Sequence, residues 1–396
     1  MRKNEINARF RAHVQENLSP TQEDREFVSS VYRSICELLG NVNCLQIGSY
    51  PRFTAIRPLH DLDVLYILED WFEGADPSRV LEELEGFVLA RYENPTTLNV
   101  SVERQTHSIS LSFLDNGEEV FSVDIVPAYK LGKNDFGDDR YMVPELVSKS
   151  HKARRILMEE NRRLGCSMTW IRSDPRGYIK GATNLNKVNA DFRKTAKFVK
   201  GWRAAWKAVD DDFPLKSFHL ELIVTNFFND HPEAEIFDAV FHFFCSLPVA
   251  IDAPNIPDRA DTGRFVDAYL ADLTTAQKEQ INQARDHFLI QLENFGEESD
   301  VGDLLVAEIR KRASVSEQYL FDFGIPVLTE VSFSIVGNVQ ERTGGFRARI
   351  LNALGIIEVD RKIEFVLGRD APATDLFKWK VKNDDNGFVR RKLNLI

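Results

Sequence analysis

Gly48-Ser49-Tyr50, a ten-residue spacer from Pro51 to His60, and then Asp61-Leu62-Asp63 form the stretch whose reading decides the fold. Leu62 and the run from Val64 to Leu68 predict a strand from Asp61 to Leu68, with its apolar half buried on both faces. Side chains two apart on a strand share a face. Asp61 and Asp63 therefore point together, away from Leu62. Two carboxylates side by side repel unless a cation lies between them, and Mg²⁺ takes oxygen ligands from one or two carboxylates plus substrate phosphates. A third candidate is Asp124 in FSVDIVP, flanked by Val123 and Ile125. An aspartate inside an apolar strand is costly unless it is paired or bound to a metal. The alternative for Asp124 is a structural partnership with an arginine. Gly48-Ser49 precedes the pair by one strand and loop. Glycine allows close approach of backbone N–H groups to a phosphate, and the serine hydroxyl adds a donor. The expectation is a turn that holds β- and γ-phosphates beside a two-metal site of Asp61, Asp63 and Asp124.

Around this stretch the elements follow from pattern. Cys44 to Ile47 reads as a short strand ending at Gly48. Upstream, Ser19-Pro20-Thr21 reads as a helix start, with Glu23 and Asp24 in the first turn. Phe27, Val28, Val31, Ile35 and Leu38 then recur at helical spacing up to Gly40. Downstream, a helix is expected over Ser78 to Arg91 and a strand over Leu98 to Phe113. A further strand is expected over Val120 to Val126, and Asp115-Asn116-Gly117 is the hairpin signal between those two strands. After Pro127 the character changes, and from Pro144 to about Arg312 the chain reads as mostly helical. Val188 to Trp206 is basic and aromatic, Ser217 to Phe228 is dense in apolar residues, and Ala276 to Phe295 is amphipathic. Strands return in VSFSIVGNV, KIEFVL and LFKWKVKN. The expected architecture is a mixed α/β lobe over 1–143, a helical lobe over 144–315 and a small β-rich module over 316–396.

Composition sets the limits. The chain has 396 residues, 43% hydrophobic and 28% charged, as in an ordinary soluble protein. It lacks an uninterrupted run of about 18 apolar residues, so a transmembrane helix is not expected. MRKNEINARF has no apolar core and does not read as a secretory signal. Cys36, Cys44, Cys166 and Cys245 form no C-x-x-C pair, and free thiols in a reducing cytoplasm are the expectation. The net charge of −11, from 61 acidic and 50 basic residues, argues against a protein that coats nucleic acid.

The run GSYPRFTAIRPLHDLDVLYIL resembles the signature of the polymerase-β-like nucleotidyltransferases. More narrowly, it is similar to the bacterial CD-NTases, relatives of cyclic GMP-AMP synthase and oligoadenylate synthase. The likeness extends through LSPTQEDREFVSSVYRSICELL, VDIVPAY, DPRGYIKGATN, KFVKGW and PLKSFHLEL, over most of the first 300 residues. It implies Asp61, Asp63 and Asp124 as ligands of two Mg²⁺ ions, with Mn²⁺ able to substitute, and Gly48 and Ser49 as the phosphate turn. It matches Lys200 in KGW to a lysine aimed at the donor triphosphate, with Lys197 one turn earlier as its rival. It places Ser217 near the same phosphates and Phe218 where an aromatic stacks on the donor base. Read alone, Lys200 is equally a solvated lysine, and Phe218 is equally a core residue. Tyr50, Arg52 and Gln105 are candidates near an acceptor base, with a surface or core role the alternative for each.

The resemblance implies synthesis of cyclic di- or trinucleotides from nucleoside triphosphates, ATP and GTP among the candidates. These would be second messengers of anti-phage defence that act on a downstream effector. The zinc-binding insertion of the animal DNA sensor has no counterpart, so control by long duplex DNA is not expected, and with no transmembrane helix expected a membrane is not an expected partner either. EQYLFDFGIPV, ERTGGFRARIL and LFKWKVKN resemble the adenylyl/guanylyl and SMODS C-terminal sensor, here in a short version. Competing readings are a linear polymerising or RNA-tailing nucleotidyltransferase, and an inactive nucleotide sensor.

Overall fold

A computed structural model of the chain describes residues 3–146 and 168–307, together with four short strands beyond them. Contacts divide it into two compact units, Met1–Ala307 and Glu308–Ile396. The first unit is built on a seven-stranded sheet with the order β1-β2-β5-β4-β3, extended from β5 by β6 and β7. The strands are β1 Cys44–Ile47, β2 Asp61–Asp70, β3 Asn99–Arg104, β4 Ile109–Asp115, β5 Glu118–Lys133, β6 Asp139–Leu146 and β7 Met168–Ser173. β2 and β5 run parallel, and the other neighbours are antiparallel.

One face of the sheet carries α2 (Gln22–Leu39) and α3 (Pro77–Arg91). Thr21 caps α2 through a reciprocal box with Asp24, which satisfies two orphan N–H groups. Val28, Val31, Ile35 and Leu39 of α2 and Leu81, Leu84 and Val88 of α3 pack on Leu62, Val64, Val123 and Ile125 of the sheet. Leu65, Val126 and Ala128 have the opposite parity and join a second cluster with Tyr141 and Val143. β2 is thus buried on both faces at Val64 and Leu65.

The helical part comprises α1 (Lys3–His13), continued by a π-helical turn at Val14–Leu18, then α4 (Pro175–Val188), α5 (Asp191–Val209), α6 (Ser217–Asp230), α7 (Ile236–Ala250) and α8 (Thr275–Glu293). Its core is aromatic. Phe10 stacks on Phe198 at 4.7 Å, Phe244 on Phe288 at 3.7 Å, and Trp202 meets Phe244 edge-on.

Three expectations change. The strand expected over Leu98 to Phe113 is a hairpin: β3 and β4 separate at a turn in which the Gln105 N–H donates to the Ser108 carbonyl at 2.8 Å. β5 does not end at Val126. It runs through Pro127, which sits opposite Tyr66 in the parallel ladder, to Lys133. The sheet also continues through β6 and β7, so Pro144 stands in a strand opposite Trp170, and among the described residues that follow the sheet the helices start at Pro175.

The second unit is described only by β8 Ile335–Val339 paired with β9 Ile363–Leu367, and β10 Trp379–Lys382 paired with β11 Phe388–Arg391, both antiparallel. The sequence expectations on 317–327 and 341–351, and Cys166, lie outside the described residues.

Candidate active site

Residues opposite each other on neighbouring strands share a face. Asp63 is opposite Asp124 in the parallel pairing of β2 with β5, and Asp61 is opposite Ser122. Leu62, Val64, Val123 and Ile125 turn into the α2–α3 side, fully buried or nearly so. Asp61, Asp63 and Asp124 therefore project from the other face. Their environment is electrostatically frustrated. Burial pushes the Asp63 carboxyl up to about 7, and Asp61 and Asp124 add repulsion that Arg52 offsets in part. Burial also raises Asp124, against Ser110 and His107, which favour its charged form. Ser110 lies opposite Asp124 on β4. The buried Oδ1 of Asp124 has no hydrogen-bond partner among the described residues.

Gly48 follows β1 with φ +73°. A Cβ placed there would lie 1.8 Å from Asp63 Oδ2. The glycine is thus required twice, by its left-handed backbone and by the carboxylate against it. From Gly48 the chain makes a tight turn. The Phe53 N–H donates to the Tyr50 carbonyl at 2.9 Å, and the Thr54 N–H to the Ser49 carbonyl at 3.1 Å.

These carboxylates fit a divalent metal. An orphaned carboxylate oxygen, a neighbour pushed toward protonation by burial and then by like charges, and a backbone with no Cβ beside it are what a cation would relieve. Among the described residues no three acidic, histidine or cysteine side chains already form a tight ligand cluster.

The helices supply the facing wall. Ser217, exposed, is the first residue of α6, and Phe218 follows it. The Arg52 guanidinium lies over the Phe218 ring at 4.7 Å, and Tyr178 meets the ring edge-on at 5.0 Å. A cavity of about 280 Å³ runs between α4 and α6, lined at one end by Arg52, Phe218 and Glu221. One face of Phe218 is thus already covered by Arg52.

Two lysines are placed differently from one another. Lys200, matched in sequence to a lysine that reaches the triphosphate, is 4% exposed, and its ammonium donates to Glu221, to the Thr54 hydroxyl at 3.0 Å and to the Thr54 carbonyl at 3.2 Å. It is committed to an internal network and is not a free counter-charge. Lys197, half-buried, donates to the Ser19 hydroxyl at 2.9 Å. Burial pulls it down to about 8, and Arg25, Arg193, Lys200 and Lys194 push the same way.

Of the acceptor-base candidates, only Arg52 lines the cavity. Tyr50 packs against the α2–sheet core, and Gln105 sits in the β3–β4 turn. Sequence reading missed Glu221, Thr54 and Arg193. The available signal was Glu221 itself, an acid set between Leu220 and Leu222 in an apolar helix.

No known protein-family profile matches the chain. Over 195 residues it is 26% identical to the cyclic AMP-AMP-AMP synthase of Escherichia coli strain MS 115-1, covering 47% of this chain and 52% of that protein. The match thus spans about half the length of the curated relative. The solved structure of the CdnC:HORMA-deltaN complex from E. coli MS115-1 superposes with a TM-score of 0.52 at 18% identity, over 76% of this chain and 93% of that one. With a carboxylate face on a mixed sheet, a glycine turn beside it and a helical wall opposite, the chain has the polymerase-β-like nucleotidyltransferase fold. It is thus similar in sequence to the one bacterial protein and in fold to the other.

Proposed function

We propose that the chain is a Mg²⁺-dependent nucleotidyltransferase that joins nucleoside triphosphates into a cyclic di- or trinucleotide. The observation that carries this reading is the register of Asp63 against Asp124, with Gly48 closed against Asp63 and Asp61 beside them. When two Mg²⁺ ions bind, Asp61, Asp63 and Asp124 would hold them, and the ions would activate an acceptor hydroxyl and neutralise departing pyrophosphate. The protein's own groups do the positioning. The 48–54 turn offers N–H groups and the Ser49 hydroxyl to the β- and γ-phosphates. Ser217, at the start of α6, adds a hydroxyl and the positive end of a helix. Arg52, Phe218 and Tyr178 form a wall of flat groups suited to a base, and such stacking contributes about 1–3 kcal/mol per base.

Similarity to the cyclic AMP-AMP-AMP synthase supports ATP as one substrate and a cyclic product as the output. We extend the reading to anti-phage signalling through an effector that recognises the product. No helix among the described residues is long and apolar enough to cross a membrane.

The test is incubation of the full chain with all four ribonucleoside triphosphates, labelled at the α-phosphate, and Mg²⁺. A phosphatase-resistant product whose mass fits a ring is expected. Only linear oligomers would favour a polymerising enzyme, and tight nucleotide binding without pyrophosphate release would favour a sensor.

A further inference from the structure

Arg52, Thr54, Lys200 and Glu221 form a buried polar knot directly beneath the 48–54 turn. Thr54 is fully buried, Glu221 2% exposed, Lys200 4% and Arg52 8%. Arg52 Nε donates to Glu221 Oε1 at 2.6 Å, and its Nη2 donates to Oε2 at 3.3 Å. The Thr54 hydroxyl donates to Glu221 Oε2 at 2.7 Å and accepts from Lys200, which also donates to Glu221. From α5, Arg193 Nε donates to the Arg52 carbonyl at 2.9 Å. Two helices therefore grip the turn at residues 52 and 54, and Glu221 is the one acceptor common to all three donors.

Glu221 lies four residues after Ser217 in α6, so the two occupy one face of that helix. At the other end of the knot, Thr54 bonds back to Ser49, through its N–H to the Ser49 carbonyl. Ser49 and Ser217, the two hydroxyls assigned to one triphosphate, are thus tied together through Glu221 and Thr54. Arg52 extends the same knot onto the Phe218 ring. We propose that Glu221 is a positioning residue: it sets the phosphate-binding turn against the α6 end, and through Arg52 against the base wall. This inference rests on the nucleotidyltransferase reading for its kinetic consequence, but not for its structural one.

The test uses full-length protein carrying Thr54→Val or Glu221→Gln, with two readouts at a temperature where each variant is folded. Hydrogen exchange reads the turn directly. The Phe53 and Thr54 amides should exchange about tenfold faster or more, while amides of α2, α3 and α8 keep wild-type rates. Product formation against ATP concentration reads the kinetics. A misplaced turn should raise KM about tenfold, with a smaller fall in kcat. Thr54→Val, nearly isosteric, keeps the inference testable if Glu221→Gln does not fold. Wild-type exchange at the turn in both variants overturns the proposal. So does an activity loss that follows only the folded fraction, at unchanged KM. If the wild type itself makes no product while the turn amides respond as expected, the positioning role stands and the nucleotidyltransferase reading falls.

Discussion

The carboxylate face and the knot beneath the turn are neighbours that treat buried charge in opposite ways. At Asp63 and Asp124 burial and facing like charges raise both carboxyls, and a buried oxygen has no partner among the described residues. At Glu221 one carboxylate accepts from two cations and a hydroxyl, and although burial pushes it up, Lys200 and Arg52 outweigh that and hold it down at about 2. The first region gathers like charge, whereas the second balances its charge internally. The comparison separates residues that would do chemistry from residues that hold them in place.

The largest expected effect breaks the first region. Asp63→Asn and Asp124→Asn should each lower product formation by roughly a thousandfold or more, because metal binding and charge placement are both lost. Stability should not fall with activity, since each change removes one of the facing anions. Thermal melting beside the product assay checks both halves. A variant that loses activity only by unfolding would contradict the contrast between the two regions.

Glu221→Met breaks the second region and should do the reverse, costing about 3–5 kcal/mol of stability by leaving Arg52 and Lys200 buried without their carboxylate. The wild-type pH profile carries the same signature. Glu221 has its folded pKa depressed, to about 2 from an ordinary 4.5. Its stabilisation is therefore fully present above pH 4.5 and is lost as pH falls from there toward 2, an amount on the order of 3 kcal/mol. Denaturant titrations between those limits should show the loss, and in Glu221→Met that share of the acid sensitivity should be absent.

Gly48→Ala lies at the seam between the regions. The added methyl meets the Asp63 carboxylate, and the backbone at φ +73° disfavours a side chain. A stability loss of about 1 kcal/mol is expected from the backbone, and a rate loss of up to about a hundredfold from displacing Asp63 or the turn by about 1 Å. Steady-state kinetics with a parallel melt should show the rate change as the larger of the two.

The carboxylates were legible because strand parity is local: Asp61-Leu62-Asp63 and Val123-Asp124-Ile125 each announce which side chains share a face. The cap of α2, the bodies of α2 and α3 and the start of α6 are legible because their signals are local too. What the sequence hid is tertiary. Pro127 reads as a strand end because it lacks an N–H, yet the ladder runs through it. Family resemblance alone matches Lys200 to a phosphate ligand, and nothing along the chain reveals that Glu221, 21 residues later, folds back onto it. Gly48 was read for its backbone alone, since its contact with Asp63 exists only once β1 pairs with β2.

The smallest effect sharpens the comparison at the turn's outer edge. Phe53 has φ +60° and is 62% exposed, with the Arg193 guanidinium 4.6 Å over its ring. A side chain in the left-handed region costs about 1–2 kcal/mol, and an exposed cation–π contact returns about 0.5–1 kcal/mol. Phe53→Ala keeps the backbone cost and loses the contact. Phe53→Gly loses both, but gains freedom in the unfolded chain worth about 0.5–1 kcal/mol. The glycine variant should therefore be the more stable of the two by roughly 0.5–1 kcal/mol, and it should lie close to wild type. Denaturant midpoints of the three proteins measure this. If alanine and glycine prove equal, the turn is not held in the left-handed conformation in solution, and the grip of α5 and α6 on residues 52 and 54 is looser than the distances imply.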